Sequence, residues 1–164
     1  MKILGIDPGT GILGFGVVEV SAKGGLRMVT AGVITTPAHT PLEERLVEIY
    51  DGLTEIIAET KPDVMSIEKL FFAQNITTAI SVSHARGVAM LTGKQANLEI
   101  AEYTPLQIKQ TLTGYGRADK KQMQEMVKLQ LGLREVPKPD DAADALAAAI
   151  THSLMSRQNG KIGK

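Results

Sequence analysis

The fold of this chain is decided at its start by the stretch KILGIDPGTG, residues 2–11. Residues 2–7 form a short apolar run with a charged end, which is typical of a buried strand. The proline and glycines of residues 8–11 predict a turn. Two further apolar segments, residues 14–20 and 26–35, predict strands. The three strands are expected to form an antiparallel meander.

Beyond the meander, helical and strand patterns alternate. Apolar residues at helical spacing predict a helix over 42–60, and a strand follows at 64–68. The strand–helix–strand order favours a right-handed parallel crossover. The remaining predicted elements are a helix over 75–92, a strand over 98–103, and helices over 105–112, 120–131 and 141–155. Together they predict a single α/β domain over 1–155, built on a mixed five-stranded sheet, and a flexible tail over 156–164.

Two of these helices have a distinctive composition. The helix over 75–92 is rich in small residues, which let another backbone approach closely, so we expect it at a dimer interface. Asp140 follows Pro139 and is predicted to cap the last helix. The apolar positions of that helix are expected to form one stripe, made of Ala142, Ala145, Leu146, Ala149, Ile150 and Ser153.

Composition limits the classes of function. The 164 residues include no cysteine, which excludes disulfides, thiolate nucleophiles and cysteine-based zinc sites. No leader-like segment or bilayer-length apolar run is present, so we expect a cytoplasmic protein without membrane contact. Net charge is zero, but residues 1–68 carry 10 acidic and 5 basic side chains, whereas residues 69–138 carry 5 acidic and 10 basic. This asymmetry permits a basic surface, although solvated lysines would explain it equally well.

Four carboxylates are predicted to lie at the same edge of the sheet. Asp7 and Glu68 each end a predicted strand, and ligands of α/β sheets bind outside the carboxyl ends of strands. Asp141 and Asp144 open the last helix, and their spacing puts both on one side of it. Taken singly, each has an ordinary explanation as a turn, solvated or helix-dipole residue.

A shared site would demand a cation, because converging carboxylates repel one another and raise one another's pKa. Ligands that are all oxygen favour Mg²⁺ or Mn²⁺. Two such ions can activate water and stabilise the leaving oxygen of a phosphodiester. The histidines, His39, His84 and His152, are interpreted as surface or packing residues.

Five groups of motifs lie along the chain. They are Gly5-Ile6-Asp7-Pro8-Gly9-Thr10 with Gly14-Phe15-Gly16, Ile67-Glu68 with Phe71-Phe72 and Asn75, Ala85-Arg86-Gly87, Gly114-Tyr115-Gly116-Arg117-Ala118-Asp119-Lys120, and Asp141-Ala142-Ala143-Asp144-Ala145-Leu146-Ala147. In their order and spacing, from residue 3 to about residue 152, the chain resembles the RuvC family of bacterial Holliday junction resolvases.

The resemblance implies a ribonuclease-H-like fold with sheet order 3-2-1-4-5 and helices on both faces. It also implies a homodimer that cuts four-way DNA junctions by paired symmetric nicks, with two Mg²⁺ per site and the RuvA–RuvB branch-migration complex as partner. The residues that match the metal-binding acids of the family are Asp7, Glu68, Asp141 and Asp144. Lys109 and Lys120 match basic residues near the scissile phosphate, and Phe71 matches an aromatic that stacks on junction bases.

The residues themselves are compatible with these roles. One ring of Phe71 and Phe72 is expected in the core, and the other, if exposed, could stack on unpaired bases. Lysines beside the glycine loop can neutralise phosphate. The predicted DNA contacts are Phe71, Phe72, Lys69, Arg86, Lys109, Arg117, Lys120 and Lys121.

Three other functions fit parts of the pattern. An ATP-handling fold of the actin and sugar-kinase type would explain residues 7–11, but such proteins close two domains over the nucleotide and this chain has one copy. A ribonuclease-H-like nuclease acting on RNA would carry the same acids. A catalytically inactive nucleic-acid-binding module would have no need of all four acids.

Overall fold

The computed structural model describes residues 1–70, 76–158 and 160. The strands are β1 (Lys2–Asp7), β2 (Ile12–Val20), β3 (Leu26–Thr35), β4 (Val64–Glu68) and β5 (Glu99–Tyr103). The helices are α1 (Leu42–Thr60), α2 (Ile76–Gln95), α3 (Pro105–Thr113), α4 (Lys120–Gln130) and α5 (Asp140–Gln158). Every element predicted from the sequence is present, with differences at several ends.

The strands form one sheet in the order β3-β2-β1-β4-β5. The meander of β1, β2 and β3 is antiparallel, whereas β1 pairs with β4, and β4 with β5, in parallel. Apolar side chains of successive strand residues point to opposite faces, so the sheet has two cores. Helices α1 and α2 cover one core, and helices α3, α4 and α5 cover the other. The predicted mixed sheet with helices on both faces is confirmed.

Helix α5 lies directly against the glycines of β1 and β2. A Cβ atom on Gly5 would overlap the carbonyl oxygen of Ala145, and one on Gly14 would overlap the carbonyl oxygen of Asp141. A Cβ on Gly16 would come within 2.6 Å of the Leu146 side chain. Gly5 and Gly16 are partners across the two strands, so the glycines form a continuous path beneath the helix. The helix backbone approaches the sheet because these side chains are absent.

The expectation of one apolar stripe on α5 is wrong. Residues 145–153 are all buried, because the helix packs between the sheet on one side and α3 and α4 on the other. Ser66 of β4 fixes this position by donating a buried 2.7 Å hydrogen bond to the Ala148 carbonyl oxygen. Short alanine side chains suit a helix that is enclosed in this way, because they allow close approach on several sides.

The last helix is also longer than predicted. It runs to Gln158, so the predicted tail begins too early. Ser156 is buried and its hydroxyl lies 3.0 Å from Nε2 of His152, whose Nδ1 lies 2.9 Å from the Tyr103 hydroxyl. These contacts to β5 explain why the final turns stay ordered. Among the described residues, no helix combines the length and apolar character needed to cross a bilayer.

We expect Gly5→Ala to lower the free energy of unfolding by roughly 3 kcal/mol, because the added methyl group would overlap the α5 backbone. Displacement of α5 should also impair any function that depends on its first turns. Thermal unfolding measures the loss of stability. The matched control is Gly25→Ala, where the Cβ would meet only the Ser21 hydroxyl at 3.3 Å. Equal melting temperatures for the two variants would contradict this account of the helix–sheet contact.

Candidate active site

Asp7 and Glu68 lie side by side at one edge of the sheet. Strands β1 and β4 are parallel neighbours, and Ile6 pairs with Ile67. Asp7 and Glu68, the next residues, therefore end the two strands at the same level. Strand alternation turns both carboxylates to the α5 face, the face of Gly5 and of the Ser66 hydroxyl. Both carboxyl groups are half-buried.

Helix α5 brings the other two acids to the same edge. Gly14 pairs with Asp7 across β1 and β2, and the Asp141 backbone lies directly over Gly14. Asp144 follows one turn later on the same side of the helix. Asp7 therefore interacts electrostatically with both Asp141 and Asp144, and Glu68 with Asp7 and Asp144. The four acids that sequence reasoning selected therefore lie at the same edge of the sheet and interact electrostatically.

Burial and mutual repulsion alter the acidity of these groups. Burial, followed by repulsion from Asp144 and Asp141, raises the pKa of Asp7 from 3.8 to about 7. Burial and the Asp7 and Asp144 charges raise the pKa of Glu68 to about 7 as well. The pKa of Asp144 is raised chiefly by burial, although Lys120 opposes the shift. The site is thus short of positive charge.

A cleft opens beside the acids. It measures about 230 Å³ and is lined by Glu68, Pro105, Ile108, Lys109, Lys120, Met123, Asp144 and Ala147. Lys109 comes from α3 and Lys120 from α4, and each lowers the pKa of a nearby acid. The remaining walls are apolar. The cleft therefore places two ammonium groups next to crowded carboxylates in surroundings of reduced polarity.

The prediction that Asp140 caps the last helix is wrong. The Pro139 carbonyl oxygen accepts the first helical bonds, from the Ala142 and Ala143 amides. The Asp140 carboxylate instead lies 3.0 Å from the Lys120 ammonium and accepts a 2.9 Å hydrogen bond from the Gln124 amide. Sequence reasoning missed Gln124, although its spacing of four residues from Lys120 on α4 already placed the two on one helix face.

The other predicted DNA contacts are placed as follows. Lys69, Arg117 and Lys121 are exposed. Lys69 directly follows Glu68, Arg117 lies in the turn before α4, and Lys121 lies in the first turn of α4. Arg86 pairs with Glu102 of β5, and its side chain is only 21 % exposed. Phe71 and Phe72 lie outside the described residues. His152 is buried in helix packing, as predicted, and His39 and His84 are exposed.

The donor set suits a hard divalent cation by its chemistry. All four acids offer carboxylate oxygens, and their crowding is relieved by positive charge. In the part of the chain that the structure describes, no three Asp, Glu or His side chains are close enough as they stand to hold an ion between them. A cation would therefore have to draw the carboxylates together.

This sheet order, with acids gathered at the ends of β1 and β4 and the start of the last helix, defines a ribonuclease-H-like nuclease. The family model described as crossover junction endodeoxyribonuclease RuvC matches residues 3–152. The chain belongs to the RuvC family and is a nuclease.

Known proteins are similar to this chain over almost its whole length. Crossover junction endodeoxyribonuclease RuvC of Chloroflexus aurantiacus is 54 % identical over 153 residues, 93 % of each chain. A solved Thermus thermophilus RuvC structure is 36 % identical, covers 97 % of each chain and superposes with a TM-score of 0.90. A second T. thermophilus RuvC structure, in complex with a Holliday junction substrate, is 32 % identical over 99 % of each chain, with a TM-score of 0.88.

Asp7→Asn is expected to stabilise the metal-free protein at pH 8 and to leave its stability at pH 4 nearly unchanged. Since burial raises the pKa of Asp7 from 3.8 to about 7, the folded chain retains a proton that the unfolded chain releases between these values. Stability contributed by this group therefore falls as pH rises from about 4 to about 7 and stays low above that. A neutral amide avoids this loss, which is on the order of 4 kcal/mol at pH 8.

Thermal unfolding with a chelator present, at both pH values, measures the effect. Asp51→Asn, on the exposed face of α1, is the matched control for the loss of a surface carboxylate. A destabilised Asp7→Asn protein at pH 8 would contradict the assigned burial and repulsion.

Proposed function

We propose that this chain resolves Holliday junctions by hydrolysing one phosphodiester bond per active site, with paired symmetric nicks on strands of like polarity. The observation that carries the proposal is the placement of four carboxylates from β1, β4 and α5 at one sheet edge, where they interact electrostatically. The likeness to a RuvC protein that was solved with a Holliday junction substrate supports the choice of DNA structure.

Membership of the RuvC family implies dependence on a divalent metal. We propose that the metal is Mg²⁺, with two ions per site and Mn²⁺ as a substitute. The residues that would hold it are Asp7, Glu68, Asp141 and Asp144. The raised pKa values of Asp7 and Glu68 support this, because such acids gain from a neighbouring cation. When bound, the metal supplies Lewis acidity at the scissile phosphate and lowers the pKa of water.

The residues of the chain bind and orient the reacting groups. The four carboxylates fix the position at which the phosphate is attacked in line, and hydrolysis leaves 5′-phosphate and 3′-hydroxyl ends. Lys120 and Lys109 provide positive charge that offsets the charge developing on the phosphate oxygens. Apolar walls from Ile108 and Met123 lower the local polarity of the cleft and strengthen these interactions.

DNA outside the cleft is proposed to contact the basic residues of the same edge. Lys69, Arg117 and Lys121 are exposed and suited to phosphate oxygens. Phe71 or Phe72 is proposed to stack on bases at the junction centre. Arg86 remains a proposed contact, although its guanidinium already pairs with Glu102.

Paired cutting requires two sites, and a homodimer would supply them. An exposed stripe on α2 supports this part of the proposal. Ile80 and Leu91 are 53 % and 54 % exposed, and His84 and Gly87 lie between them on the same helix face. A Cβ at Gly87 would meet nothing within 4 Å. We also propose that the RuvA–RuvB complex delivers the junction and that the protein acts in the cytoplasm.

Asp7→Asn should abolish cleavage of a synthetic four-way junction while leaving junction binding intact, because it removes a metal ligand and no DNA contact. A loss of at least about 10³-fold is expected. Gel assays with and without Mg²⁺ on the junction, a linear duplex and an RNA–DNA hybrid measure both properties, with Asp51→Asn as control. Unchanged cutting would remove Asp7 from the mechanism, and preferred cutting of the hybrid would favour a nuclease acting on RNA.

Leu91→Glu should convert the dimer to a monomer at micromolar concentration, because it places a charge in the proposed apolar contact. Light scattering after gel filtration measures the mass, and junction assays should then show single nicks rather than paired ones. The control is Leu129→Glu, since Leu129 is 71 % exposed on α4, away from α2. A dimeric Leu91→Glu protein would remove α2 from the proposed interface.

A further inference from the structure

We infer that Asp140, although it is not a metal ligand, positions Lys120 for the reaction by holding its ammonium group at the rim of the cleft. The inference rests on the proposed function, because it assumes that Lys120 offsets charge on the scissile phosphate. It assigns a role to an acid that lies beside the metal-binding acids in sequence and would otherwise be taken for one of them.

The position of the Lys120 ammonium depends on partners. Lys120 is the first residue of α4, and its side chain is 57 % exposed. A lysine side chain is flexible and samples many positions unless something fixes it. The ammonium nitrogen lies 3.0 Å from Oδ2 of Asp140 and 3.7 Å from Oδ2 of Asp144. Asp140 is therefore the nearer of its two acidic partners.

Asp140 is itself fixed by a second contact. Gln124 donates a 2.9 Å hydrogen bond from Nε2 to Oδ1 of Asp140, while Lys120 takes Oδ2. Lys120 and Gln124 lie one turn apart on the same face of α4. Together they bind both carboxylate oxygens of Asp140 on α5. A carboxylate with both oxygens bound has one preferred orientation. The fixed Asp140 carboxylate therefore restricts the position of the Lys120 ammonium group.

The two acidic partners of Lys120 differ in what they can do. Asp144 lines the cleft and is one of the proposed metal ligands, so positive charge bound there would repel the Lys120 ammonium. Asp140 is exposed and is not among the residues that line the cleft. The contact with Asp140 is therefore the one that keeps Lys120 beside the substrate during the reaction.

A double-mutant cycle tests this dependence. Lys120→Ala is expected to slow single-turnover cleavage at saturating Mg²⁺ by about 10²-fold. Asp140→Ala is expected to slow it about tenfold, and the double variant should be no slower than Lys120→Ala alone. The Mg²⁺ concentration for half-maximal rate should not change in Asp140→Ala, since no ligand is lost. Asp51→Ala is the control for removal of a surface acid.

A second measurement needs no metal. Competitive acetylation of the metal-free protein, read by mass spectrometry, reports how firmly each amine is held. Asp140→Ala should raise the labelling rate of Lys120 several-fold relative to Lys109, and thermal unfolding shows whether the variant is folded. An unchanged labelling rate would overturn the inference independently of activity.

The kinetic outcomes distinguish the proposed role of Lys120 from the proposed role of Asp140. If Lys120→Ala cuts at the wild-type rate, the proposed role of Lys120 fails and the inference fails with it. If Lys120→Ala is slow but Asp140→Ala is as fast as wild type or faster, only the inference is overturned. The same holds if Asp140→Ala causes its full loss in the Lys120→Ala background or shifts the Mg²⁺ requirement.

Discussion

The close contact between the last helix and the first two strands is the constraint on which the rest of the molecule depends. At Gly5 and Gly14 there is no room for a side chain, and at Gly16 a methyl group would crowd Leu146. The helix can approach only because these three positions lack a Cβ atom. Its approach carries Asp141 and Asp144 to Asp7, so the same contact that closes the core also assembles the acids.

Assembly of the acids costs stability that other contacts must offset. Asp7 and Glu68 are half-buried next to further negative charge, which opposes their ionisation. The enclosed helix compensates through apolar contacts on several sides and through the hydrogen bond from Ser66 to Ala148. Lys109 and Lys120 supply part of the missing positive charge from a separate pair of helices. Active sites commonly concentrate such unfavourable charge, and stable surroundings hold it in place.

Short-range patterns in the sequence predicted the strands and the shared sheet edge at which the four acids lie, whereas the order of the strands was implied by the resemblance to the family. A charged residue at the end of an apolar run identifies a strand end, and strand ends converge in α/β folds. The environment of α5 could not be predicted in this way, since the expected stripe assumes one buried face and this helix has several. The Asp140 carboxylate contacts Gln124, sixteen residues earlier in the sequence, and Lys120. Both are tertiary contacts between α5 and α4, so the local sequence around Asp140 could not predict them. The end of α5 was likewise set by contacts with Tyr103 of β5.

The distribution of the acids along the chain has a consequence for when activity can begin. Asp7 lies at the start of the sequence, Glu68 in its first half, and Asp141 and Asp144 in the final helix. A chain still on the ribosome, or one truncated before α5, holds only half the carboxylates, and its first two strands lack the helix that covers them. Cleavage by the proposed four-acid site therefore requires that α5 has been made and packed against the sheet.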